Sequence, residues 1–171
     1  MLAVAPWAVY HIGVHETKDV GDRLARARPD VFFVDAPVSG SRGPAVASGP
    51  REAGAVVGPV FAAIGRKTVW LGDAGQGSRM KLVVNAYMAI LIEGVAEALE
   101  FANRLGVDPA CLAEAIEGGP LDAPIAGAKL HKMESHDFDP EFALRWAVKD
   151  VDLALSEAGS DPPTPQPSFR A

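Results

Sequence analysis

The chain is predicted to be an α/β protein: a small parallel sheet over residues 1–71, then an all-helical domain around one long central helix over residues 72–159. Residues 31–34, VFFV, form a short continuous apolar run of the kind found in parallel strands buried on both faces. A helix-like segment precedes them and an apolar stretch precedes that, and strand, helix, strand in sequence predicts a parallel unit. Beyond Gly72 a helical apolar spacing takes over and no further strand-like run follows.

Taken in order, residues 7–14 read as a strand, and HETKDVGDRLARARPD reads as a short helix with arginines toward its end. The run 31–34 follows, with Asp35, Pro37, Ser39 and Gly40 at its carboxyl end, where open α/β sheets place their ligand sites. Ser39 offers a hydroxyl and Gly40 backbone donors to a carboxylate, although an ordinary proline and glycine turn has the same composition. Residues 43–65 blur under many glycines and prolines, with an apolar helical face over 56–64. KTVWL at 67–71 is a short strand leading into a glycine turn.

That turn opens a long helix expected to be mostly buried. From Leu82 to Ile92 only Asn85 and the phenol of Tyr87 interrupt the apolar run, which is short of the about 20 residues a bilayer requires, so a core helix is expected and no membrane. Lys81 and Asn85, four residues apart, stack on one face. An ammonium near the positive end of a helix dipole, beside apolar packing, has its charged form disfavoured, which is how a lysine becomes a proton shuttle. The competing reading is a lysine snorkelling to water and an asparagine satisfying a backbone group. Gly106 ends the helix, Asp108 and Pro109 start another, and Gly118 stops that one.

Two tempting motifs fail. GDAGQGS is spaced like a phosphate loop, but Ser78 and Arg79 stand where lysine and serine or threonine are required; Gly75 and Gly77 begin a dinucleotide fingerprint whose third glycine position is Met80. His131, Glu134, His136, Asp137 and Asp139 match no metal-ligand spacing and read as a solvated connection, so no metal is expected. In FALRWAVKDVDLAL, Lys149 and Asp150 are adjacent on a helix, about 100° apart, and need not pair. SDPPTPQPSFRA, including residues 160–171, has the composition of a disordered tail.

Composition narrows the partners. At 171 residues with 49% hydrophobic content the chain holds one ordinary domain or two small ones and is not disordered throughout. A net charge of −6 with no basic block argues against a nucleic-acid surface and for a small or neutral ligand. The single cysteine, Cys111, fits a reducing compartment and is expected to pack as a small apolar residue. MLAVAPWAVYHIG lacks a basic leader and a clean cleavage site, so a cytoplasmic location is expected.

Three separated pieces, DAPVSGSRGPA from Asp35, GDAGQGSRMKLVVN from Gly72 and FALRWAVKDVDLAL from Phe142, together resemble the β-hydroxyacid dehydrogenase family, typified by 3-hydroxyisobutyrate dehydrogenase and related to 6-phosphogluconate dehydrogenase. The resemblance implies a partial Rossmann-like NAD(P)-binding domain over residues 1–71 and the family's helical domain over 72–159. It implies an NAD- or NADP-dependent oxidoreductase moving a hydride between nicotinamide and a small β-hydroxyacid. Ser39, Gly40 and Gly75 would hold the substrate, Lys81 would shuttle the proton with Asn85 as its partner, and Lys149 would close over the nicotinamide side. Related imine reductases generally replace that lysine, so Lys81 counts against them. The family's leading strand and G-x-G-x-x-G turn have no counterpart before Pro29, which implies a truncated member. The apolar surface a missing sheet exposes predicts a homo-oligomer paired through the long helix. A non-catalytic helical association module is the alternative.

Overall fold

The computed structural model describes residues 14–37, 45–139 and 141–159. Its elements are α1 (Val14–Ala27), β1 (Ala45–Ala47), a single 3-10 turn (Arg51–Ala53), α2 (Gly54–Ile64), β2 (Thr68–Trp70), α3 (Gln76–Leu105), α4 (Ala110–Ile116), α5 (Pro124–Glu134) and α6 (Leu144–Ala158). Among the described residues they divide into two compact units: those up to residue 83 together with 153–159, and those from 84 to 152.

In the first unit β1 and β2 pair in parallel, Val46 opposite Val69, with α2 as the crossover between them. The blurred stretch therefore resolves into a strand and a helix. Ala47, Val57 and Phe61 form the core, and Val34, Ala36 and Trp70 pack against it. The unit is α/β, as its apolar runs predict, but the strand assignment needs one correction. Among the described residues, 31–34 form no ladder with another strand; Asp35 makes an isolated antiparallel bridge with Ser48, each N–H donating to the other's carbonyl at 2.9 and 2.8 Å. The parallel partner of β1 comes from beyond α2, because that connection is long enough for a crossover. The strand expected at 7–14 lies outside the described residues except for Val14, which begins α1.

In the second unit Ala102, Ala126 and Leu130 are buried, and α4 packs on α5. Asp108 Oδ1 accepts from the Ala110 N–H, capping α4 as its sequence suggests. Cys111, expected to be packed, is exposed on α4, a helix with no buried residue.

The glycine turn and the long helix fall where the sequence places them. α3 closes in a Schellman arrangement: Gly106 adopts φ 67°, Val107 N–H donates to Ala102 O at 2.9 Å and Gly106 N–H to Asn103 O at 3.2 Å. Its burial departs from expectation. Val83, Tyr87 and Ile90 are 61%, 61% and 65% exposed, because a helix apolar all round presents more surface than the described residues cover. One 18-residue window of α3, with mean hydropathy 1.7, is long and apolar enough by composition alone to cross a membrane, longer than the run from Leu82 to Ile92. Glu93, Glu97 and Glu100 in its second half would be costly in hydrocarbon.

Candidate active site

Within the first unit, a buried polar cluster fixes the start of α3. Asp35 is 8% exposed, and its Oδ2 accepts from the Ser78 N–H at 2.7 Å while Oδ1 accepts from Ser78 Oγ at 2.9 Å. Ser48 Oγ lies 3.3 Å from Asp35 Oδ2 and accepts from the Gly77 N–H at 2.9 Å. Thr17 Oγ1 stands 3.4 Å from Ser78 Oγ. A carboxylate from one segment thus caps a helix begun about 40 residues later, where the dipole favours negative charge. Only glycine fits at 77, since a Cβ there would meet Asp35 O at 2.8 Å.

Gly75 sits immediately before α3, buried, at φ 95°. Lys81 follows half-buried in the second turn, and Asn85 lies one turn further along the same helix, also half-buried. Ser39 and Gly40 lie outside the described residues.

Within the second unit, Asn85 Nδ2 donates to Asp150 Oδ2 at 2.6 Å, and Lys149 Nζ reaches Asp150 Oδ1 at 2.6 Å. Asp150 is 7% exposed. Adjacent residues on α6 do pair here, because the lysine stem is long enough to fold back over its neighbour. The sequence named Asp150 only as a neighbour of Lys149, yet a signal for its burial was present. Ala147, Asp150, Val151 and Ala154 follow the i, i+3, i+4, i+7 register of a buried stripe, which puts a carboxylate among inward positions.

The helix start also tests the fit of a dinucleotide. The Gly77 and Ser78 N–H groups that would cradle a phosphate are already donated to Ser48 and Asp35, so α3 does not supply a pyrophosphate site. Lys81 and Asn85 stand on α3, and Lys149 stands on α6. His131, Glu134, His136, Asp137 and Asp139 are all exposed in and after the last turns of α5.

An α/β unit leading into one long helix is the architecture shared with solved 3-hydroxyisobutyrate dehydrogenase structures. The family described as the NAD-binding domain of NADP-dependent 3-hydroxyisobutyrate dehydrogenase matches residues 75–162, more than half of the chain, and the chain belongs to that family. Glyoxylate/succinic semialdehyde reductase 2 of Arabidopsis thaliana is 33% identical over 136 residues, covering 75% of this chain and 38% of the relative. 3-Hydroxyisobutyrate dehydrogenase of Pseudomonas aeruginosa is 34% identical over 148 residues, 78% of this chain and 50% of its own. Among solved structures, Psf3 in complex with NADP+ and 2-OPP shares the fold with a TM-score of 0.74 at 20% identity, over 90% of this chain and 56% of that one. The chain therefore spans about half the length of the relatives it matches or less.

Proposed function

We propose that this chain works as an NAD(P)-dependent oxidoreductase of the 3-hydroxyisobutyrate dehydrogenase type, acting on a small β-hydroxyacid. The observation that carries the reading is the family match over residues 75–162, a span that contains Gly75, Lys81, Asn85 and Lys149. A bound nicotinamide would accept or return the hydride. As hydride leaves the β-carbon, the hydroxyl loses its proton, and Lys81 takes it in oxidation and returns it in reduction. Asn85 orients the hydroxyl from the same face of α3. Ser39 and Gly40, with Gly75, hold the carboxylate, and so select the face offered to hydride. Lys149 lies toward the nicotinamide. A cytoplasmic setting is consistent with the exposed thiol of Cys111.

Titration with NADH and with NADPH, followed by cofactor fluorescence or calorimetry, tests the reading. Saturable micromolar binding of either is expected. The absence of binding leaves the second reading, a helical association module, which the exposed apolar residues of α3 favour. Both readings include a homo-oligomer formed through α3.

A further inference from the structure

We propose that Asp150 is a positioning residue for Asn85: its buried carboxylate fixes which edge of the Asn85 amide is offered to a bound hydroxyacid. The catalytic meaning of this rests on the function proposed above, whereas the positioning itself does not. An asparagine side chain has a broad, roughly twofold terminal torsion, so an unanchored amide presents its oxygen or its NH2 group in the same direction at similar energy. A carboxylate is an acceptor only. Facing Asp150, the NH2 edge makes a charge-assisted hydrogen bond of 2.6 Å, while the flipped amide would set two acceptors against each other.

Burial sharpens the choice. With Asp150 only 7% exposed, water competes weakly for the carboxylate, and the wrong orientation leaves a polar atom unsatisfied in a low-dielectric setting. Oδ2 accepts from the Asn85 amide, and Oδ1 faces the Lys149 ammonium. One acid therefore holds both the amide that would orient the substrate hydroxyl and the lysine placed toward the nicotinamide. One Nδ2 hydrogen is committed, and the directions of Oδ1 and the second hydrogen are thereby set.

The side-chain amide spectrum of the full chain, labelled with nitrogen-15, tests this without turnover. Asn85 and Asn103 are the only asparagines, and loss of one pair of signals in Asn85→Ser assigns the resonances. The wild type is expected to show one Asn85 Nδ2 proton shifted downfield and slow to exchange. Asp150→Leu, which removes both acceptors, should abolish that shift and speed exchange roughly tenfold or more. Should Asp150→Leu fail to fold, Asp150→Asn, which keeps size and loses charge, should show the same direction of change. Lys149→Met leaves the acceptor in place and should leave the Asn85 signals where they are. An Asn85 amide unmoved in the folded Asp150 variants, or moved equally by Lys149→Met, overturns the proposal. Failure to bind NADH or NADPH would overturn the enzymatic reading and leave these spectra unchanged, so the two failures are distinguishable.

Discussion

Asp35 and Asp150 are acids that water barely reaches, and each organises groups from a different segment. Replacing Asp35 by alanine strands the Ser78 N–H and hydroxyl and loosens Ser48; bonds to a charged group contribute about 1.5–3 kcal/mol each and do not add fully. Asp35→Ala is therefore expected to lower unfolding stability by about 2–4 kcal/mol, read as a lower urea midpoint with an unchanged slope. Lys81→Met should reduce kcat by about 10²–10⁴-fold while leaving cofactor affinity intact, measured by steady-state rates beside calorimetry. Equal losses in binding and turnover would assign Lys81 a binding role instead. At this scale the sequence showed Lys81 and Asn85 on one helical face, because periodicity places residues along a helix. It did not show that Asp35 caps α3 or that Asp150 holds Asn85, because both contacts join residues about 40 and 65 positions apart, which no local pattern encodes.

Helix ends were more legible than strands. Gly106 and Gly118 carry local signals, positive φ at 67° and 68°, and the ends of α3 and α4 fall beside them. Residues 31–34 look like a strand by composition, but a strand exists only through its partner, and among the described residues β1 pairs with β2. The connection between α5 and α6 yields a pH prediction. Lys129 bonds to Glu141, and Lys132 Nζ lies 3.2 Å from Asp137, 3.5 Å from Glu141 and 3.3 Å from the Asp139 carbonyl. The Lys129 ammonium holds Glu141 below its ordinary value of 4.5, and the Asp139 N–H with Lys132 holds Asp137 below 3.8. Folded-state values depressed below unfolded ones contribute stability above the unfolded values, and that contribution is lost as pH falls through the folded ones. Asp137 also holds Lys132 above its ordinary value, a contribution present until strongly alkaline pH. Amide protection over residues 132–139 is thus expected to weaken as pH drops below about 4.5, and Glu141→Gln should remove part of that dependence. Protection independent of pH there would show that the ion pairs do not order the connection.

At the scale of the molecule, a chain about half the length of its relatives carries a 30-residue helix whose apolar side chains are largely exposed. The proposed pairing through α3 would use Tyr87, Ile90 and Phe101, which are 61%, 65% and 52% exposed. On that proposal the wild type sediments as an oligomer, and Ile90→Lys is expected to shift it toward monomer in sedimentation velocity, with helicity retained. Identical masses for the two proteins would place association elsewhere. The sequence announced an apolar helix but not which side is covered, because pattern records hydrophobicity and not the surface that meets it.

Hydride transfer itself is the most direct test of the central claim. The whole chain, incubated with a small β-hydroxyacid such as 3-hydroxyisobutyrate and either NAD+ or NADP+, should accumulate reduced nicotinamide by its near-ultraviolet absorbance, and Lys81→Met should not. Equal accumulation in both proteins, or none in the wild type with either cofactor, would contradict Lys81 as the proton shuttle of a hydroxyacid dehydrogenase.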